Sequence, residues 1–168
     1  MPERDNAAVK ASCEIIEKAL KKSPAYQKVE DRLYVVKQGS SIVMINVVAW
    51  GADKAIVRCI AQLVKGVDLK PELAVQLLEM NAVVRFGAFG YVPDGSIITF
   101  GHSILGGATM EPVELLATIR DVALIADDYD DRIARKFGGQ TMLELLEESA
   151  LRHLLDTNAD HVWERERN

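Results

Sequence analysis

The residues Asp127-Asp128-Tyr129-Asp130-Asp131 place four carboxylates in one short segment. Carboxylate oxygens suit Mg²⁺ or Ca²⁺, so the segment is a candidate metal site. The segment lies in a predicted helix, however, where Asp128 meets Arg132 and Asp131 meets Arg135 at i,i+4 spacing. A helix-loop-helix calcium loop would also need a Gly and a terminal Glu at fixed offsets. We therefore interpret the segment as a solvated, ion-paired helix face and expect no metal.

The histidines and cysteines form no recognisable catalytic pair. His102 lies in the predicted sheet, whereas His153 and His161 fall in the C-terminal extension. Neither Cys13 nor Cys59 belongs to a Cys-x-x-Cys pair, so zinc is unsupported. No Gly-x-Ser-x-Gly elbow occurs either. The sequence thus predicts a protein that is not an enzyme, with no cofactor and with reduced thiols of the kind found in cytoplasmic proteins.

Two glycine-rich stretches, Gly87–Gly90 and Gly101–Gly107, invite a phosphate-binding interpretation. No Lys-Ser/Thr follows either stretch, and no Gly-x-Gly-x-x-Gly joins a strand to a helix. Gly87, Gly90 and Gly101 fall within predicted strands, where glycine often marks a bulge or a close backbone approach. We therefore expect these glycines to be structural.

The composition indicates one globular domain with a proper core. The chain has 168 residues, 49% of them hydrophobic, and a formal net charge of −5. No basic run is present, which argues against nucleic acid as a partner. The longest apolar stretch, Ile42–Trp50, is interrupted by Asn46 and is too short to span a bilayer. The first residues lack the apolar core of a signal peptide, so we expect a cytoplasmic protein that engages no membrane.

Helical spacing of apolar residues predicts four helices. In the first, Val9, Cys13, Ile16 and Leu20 form one stripe. The predicted helices run over about 4–22, 71–81, 111–137 and 142–155. Glycines 138 and 139 end the third helix, which is the longest.

The remaining patterns predict strands. Leu33–Val36 and Ile42–Trp50 are predicted to be two strands, and the residues between them a turn. The segment Ala55–Lys65 fits either a helix or a strand, and its β-branched residues favour a strand. Two alternating runs around Pro93-Asp94-Gly95 predict a β-hairpin over about 84–102.

The strand Ile42–Trp50 is apolar on both faces, although an antiparallel strand in a one-layer sheet should have one polar face. Such a strand needs two covers, for example the chain's own helices and a partner or second copy. The alternative is a central strand that the chain covers on both faces. The candidate interface residues are Val43, Ile45 and Val47 of this strand and the hairpin aromatics Phe86, Phe89 and Tyr91. Alternatively, all six are ordinary core residues.

The element order is α-βββ-α-ββ-α plus a C-terminal helix, which predicts an α+β fold with helices packed on an antiparallel sheet. We divide the chain into a domain over residues 1–140 and a C-terminal helical extension with a polar tail over residues 141–168.

Three groups of residues carry a family resemblance. Leu77–Ala82, Phe86–Phe89 and Pro93–Ile97 together resemble the bacterial YbjN-like family, which is grouped with the type III secretion chaperone-like fold. Met110–Leu115 and Val122–Asp130 are similar to the closing helix of that family. The resemblance spans about residues 9–137, and its motifs are structural rather than catalytic.

The resemblance implies a homodimer that binds extended segments of partner proteins and performs no covalent chemistry. A partly exposed sheet can bind such a segment by apolar contacts or by strand addition at an edge. An alternative function is a small-ligand sensor with a pocket between the sheet and the long helix.

Overall fold

The computed structural model describes residues 6–149, which form four helices and seven strands in an α+β arrangement. This confirms the predicted fold class. Within these residues, no helix combines the length and the apolar character that a bilayer crossing requires. The elements are α1 (Ala7–Leu20), β1 (Tyr26–Glu30), β2 (Leu33–Gln38), β3 (Ser41–Trp50), β4 (Lys54–Lys65), α2 (Pro71–Asn81), β5 (Ala88–Val92), β6 (Ile97–Leu105), α3 (Pro112–Phe137), β7 (Gln140–Thr141) and α4 (Met142–Glu147).

All strand pairs are antiparallel, and the sheet order is β1-β2-β3-β4-β6-β5, with the short β7 pairing with the end of β4. The ambiguous segment after residue 54 is therefore a strand, and it lies at the centre of the sheet. Its residues Ile56–Ala61 pair with β3 on one side and with β6 on the other. Strands β1 and β7 were not predicted from the sequence pattern.

Helices α1, α2 and α3 build the main core against one face of the sheet. The stripe of α1 contributes Val9, Ile16 and Leu20, all at most 1% exposed. The long helix α3 contributes residues such as Leu115 and Ile119, which are fully buried. These side chains pack against the inward-facing residues of β2, β3, β4 and β6 in one continuous cluster.

The β5–β6 hairpin forms as predicted around its turn, where Gly95 has a φ of +81°. Gly87 lies outside β5 rather than within a strand, and its φ of +79° suits glycine because it has no Cβ. A Cβ there would also lie 2.7 Å from the Gly101 carbonyl oxygen.

The short helix α4 lies on the opposite face of the sheet from α1 and α3. Leu146 of α4 packs with Val35 and Ile42 in a separate small cluster, which Met44 and Met142 border. The remainder of the predicted C-terminal helix, together with His153 and His161, lies outside the described residues.

Candidate functional site

Strand β3 alternates between two environments. Val43, Ile45 and Val47 are at most 1% exposed and face the helices, whereas Asn46 and Trp50 are exposed on the other side. We call this second side, opposite α1 and α3, the open face. Among the described elements, only α4 packs on it. The sheet is therefore covered on one face and largely bare on the other.

Strand register arranges the side chains at the centre of the open face in three parallel rows. The first row is Val35, Met44, Ile60, Gly101 and Ala88. The middle row is Leu33, Asn46, Arg58 and Ser103. The last row is Val48, Ile56 and Leu105. An apolar row thus lies on each side of a middle row whose three members on β3, β4 and β6 are polar and exposed.

Two depressions mark this face, and both are lined by Arg58 and Ile60. The smaller one, of about 140 Å³, also contacts Leu33, Met44 and Asn46. The larger one, of about 570 Å³, lies over the glycine-rich part of β5 and β6. Because glycines 90 and 101 add no side chain, the backbone itself forms the floor of the larger depression.

The central strands of the open face carry basic but no acidic side chains. Strands β3, β4, β5 and β6 contain no Asp or Glu, and their charged residues are Lys54, Arg58 and Lys65. Lys54 lies over the Trp50 ring, 5.2 Å from its centroid. The centre of the face therefore carries positive charge, whereas Glu30 of β1 and the glutamates of α4, Glu144 and Glu147, lie toward its margins.

The structure places three predicted interface residues on the face opposite to the one expected. Val43, Ile45 and Val47 lie beneath α1 and α3, so they cannot contact a partner while the helices stay in place. The partner-accessible face of β3 consists of its even-numbered residues. Asn46 in β3 and Arg58 in β4 break the apolar pattern on that side, and this signal was available in the sequence.

The hairpin aromatics are separated from one another. Phe89 is buried, with its ring edge-on to those of Phe100 and Tyr129 at centroid distances of 4.8 and 5.6 Å. Phe86 and Tyr91 are 53% and 37% exposed. The ring of Phe86 lies 5.8 Å from that of His102. These two residues remain available to a partner, whereas Phe89 belongs to the core.

The outer edge of β5 is capped by a side chain. The Phe89 backbone N–H donates to Oδ1 of Asn81 at 2.7 Å, and Nδ2 of Asn81 donates to the Phe89 carbonyl at 3.2 Å. This pair of hydrogen bonds imitates strand pairing and occupies the edge groups that an added strand would use. A partner segment therefore has better access to the open face than to the centre of this edge.

The acidic cluster is partly buried, which corrects the expectation of a wholly solvated face. Asp130 is 1% exposed and accepts hydrogen bonds from the hydroxyls of Ser40, at 2.7 Å, and Ser41, at 3.1 Å. Asp127 accepts from the Ser40 backbone N–H at 2.9 Å. A Cβ at Gly39 would collide with the Asp127 carboxylate. The cluster thus fastens the β2–β3 turn to α3.

Burial raises the pKa of Asp130 above its ordinary value, although the serine hydrogen bonds oppose the shift. The folded state therefore holds a proton more tightly than the unfolded state does, and this carboxyl stabilises the fold less as pH rises through the raised pKa. We predict that the stability of the native chain relative to Asp130→Asn falls as pH rises above about 4, the ordinary pKa of an aspartate. Urea denaturation of both proteins at a series of pH values measures this difference, and a difference that does not change with pH would contradict the assignment.

Cys59 is fully buried in the main core. Burial raises the pKa of the Cys59 thiol to about 12, so this thiol stays protonated at neutral pH. Among residues 6–149, no three His, Cys, Asp or Glu side chains are grouped to hold a metal ion.

A cavity of about 320 Å³ lies between α1 and β2, lined by residues that include Cys13, Glu17, Lys28 and Tyr34. Glu17 there accepts hydrogen bonds from the Lys28 amine and the Tyr34 hydroxyl.

Comparison with known proteins gives one family match. The family model TY-Chap1, described as T3SS (YopN, CesT) and YbjN peptide-binding chaperone 1, matches residues 9–145. No curated protein matches the chain. The matched region runs from the first turn of α1 into α4 and includes all three rows of the open face.

Proposed function

Because the chain belongs to the family of T3SS and YbjN peptide-binding chaperones, we propose that it binds extended segments of partner proteins on the open face of its sheet. The observation that carries this proposal is the pair of apolar rows on a sheet whose opposite face is already covered. Binding of this kind needs no covalent chemistry, so we propose a non-enzymatic role.

Extended segments suit this face because of their geometry. Alternate side chains of an extended chain point the same way, so one side of the segment can contact the sheet while the other stays in water. The glycine floor of the larger depression lets a backbone approach closely. Burial of partly exposed side chains such as Ile60 and Leu105 supplies the apolar free energy of association.

A titration tests the proposal. Short labelled peptides with alternating apolar residues are titrated with the full chain and followed by fluorescence anisotropy. We expect saturable binding at micromolar concentration, and peptides made only of polar residues serve as the control. Absence of saturation with every apolar peptide would contradict the proposal. A rise in melting temperature with small metabolites but not with peptides would favour the sensor alternative.

We also propose that the chain forms a homodimer through α2 and β5. Five exposed apolar side chains lie on α2, the loop after it and the helix side of β5, namely Val75, Leu78, Val83, Phe86 and Tyr91. The elements α2 and β5 pack side by side. A cluster of exposed apolar side chains of this kind marks an interaction surface. A second copy of the chain would cover it and leave the open face free for a peptide.

The dimer proposal predicts that Leu78→Asp produces a folded monomer. Leu78 is 68% exposed on α2, so the carboxylate costs the single chain little but would be desolvated in an interface. Size-exclusion chromatography with light scattering measures the mass. The matched control is Val113→Asp, at a residue 77% exposed on α3, and it should remain dimeric. A native chain that is monomeric at tens of micromolar would refute the proposal.

A further inference from the structure

We propose that the open face selects segments with the pattern apolar-x-acid-x-apolar, in which the acidic side chain is bound by Arg58. This inference rests on the proposed function, since it specifies which segments the same face accepts. It follows from the spacing of the three rows, the state of Arg58 and the charge of the surrounding strands.

The rows are spaced for an extended segment that runs along the strands. Ile60, Arg58 and Ile56 are successive open-face residues of β4, two positions apart. Residues two positions apart in a strand are separated by about 6.8 Å. Side chains i, i+2 and i+4 of an extended segment have the same separation, so each can contact one row. The order of the rows is apolar, polar, apolar, and the order in the segment must match it.

Arg58 is suited to bind a carboxylate from outside the chain. It is exposed, it lines both depressions, and its side chain forms no hydrogen bond or ion pair with residues 6–149. Asn46 and Ser103 lie directly opposite it on the neighbouring strands and offer further hydrogen-bonding groups. A guanidinium binds a carboxylate through two parallel hydrogen bonds, which gives directional selectivity as well as affinity.

The surrounding charge supports an acidic rather than a basic residue in the segment. No Asp or Glu occurs in β3, β4, β5 or β6, and Glu30 of β1, which is in register with Leu33, lies three strands away from Arg58. A basic segment would place like charge against Arg58, with Lys54 nearby on the same strand. The net charge of −5 would weakly repel acidic peptides at long range, so the preference depends on the local contact.

The test compares one host peptide in three forms. The host contains Leu-Thr-X-Thr-Leu flanked by Ser and Thr, with X being Glu, Gln or Lys. Both ends are blocked by acetyl and amide groups, so that only the side chain can supply a carboxylate. We expect the Glu form to bind the native chain about tenfold more tightly than the Gln form, which corresponds to about 1.4 kcal/mol. Moving Glu by one position should abolish this advantage.

Charge reversal at Arg58 should reverse the selectivity. We expect Arg58→Glu to prefer the Lys form, and Arg58→Gln to bind all three forms with similar affinity. The control is Lys18→Glu, which makes the same change of charge on the exposed side of α1, away from the open face. It should keep the preference of the native chain for Glu. Circular dichroism of each variant verifies that the fold is retained.

The outcomes separate this inference from the proposed function. Equal binding of the three forms by the native chain, or a Glu preference that survives in Arg58→Glu, would overturn the role of Arg58 and leave peptide binding intact. Failure of every form to bind, together with failure of the wider apolar peptide set, would overturn the proposed function and the inference with it.

Discussion

Val47→Asp is expected to lower the free energy of unfolding by at least about 3 kcal/mol, whereas Val48→Asp is expected to lower it by less than about 1 kcal/mol. The two valines are neighbours on β3, but Val47 is 1% exposed beneath the helices and Val48 is only partly buried on the open face. An aspartate at position 47 would carry its charge into the main core. At position 48 the carboxylate can reach water.

Urea denaturation followed by circular dichroism measures both variants. The pair is internally matched, since the residue type, the strand and the introduced charge are the same. We also expect Val48→Asp to weaken peptide binding, because Val48 belongs to the last row. Similar losses of stability for the two variants would show that the two faces of β3 are equally covered, which would contradict the account of the fold.

The double variant Ile60→Ser/Leu105→Ser is expected to bind apolar peptides about 100-fold more weakly, which corresponds to about 2.7 kcal/mol. Ile60 belongs to the first row and lines both depressions, and Leu105 is 67% exposed in the last row. Each substitution removes one apolar contact with the segment, worth roughly 1.5–3 kcal/mol if it is fully buried in the complex. Folding should change little because neither side chain is part of the main core.

Leu69→Ser/Val113→Ser is the matched control for this loss. Both residues are exposed and apolar, and they lie before α2 and at the start of α3 rather than on the open face. Anisotropy titrations of the double variant, the control and the native chain with the same peptide give the comparison. Native affinity in the double variant would exclude the apolar rows as the binding surface.

Much of the fold could be predicted because its helices have clear stripes. The spacing from Val9 to Leu20 and from Leu115 to Phe137 identifies the faces that the structure buries. Strand β1, Tyr26–Glu30, carries exposed polar residues at the sheet edge and so lacks the alternating pattern that marks a strand. Strand β7 has two residues and forms only by pairing with β4.

Most residues of β3 do not indicate its orientation, because both sets of alternate side chains are largely apolar. The helices determine which set is buried, and this is a tertiary property. The polar residues Asn46 and Arg58, which pair on the open face, indicate which set of side chains faces water. Similarly, Asp130 follows Ala126 by four positions on α3, which places it on the buried stripe rather than among solvated carboxylates.

The central claim is that the open face of the sheet binds extended partner segments, and isoleucine-methyl NMR tests it most directly. The chain has isoleucines on both sides of the sheet, so a single titration of the full chain with the Glu peptide reports on both. We predict large shifts for the methyl signals of Ile56 and Ile60 on the open face and small shifts for those of Ile45 and Ile98, which are fully buried on the helix side. Shifts confined to the isoleucines of the helix side, with Ile56 and Ile60 unchanged, would contradict the account.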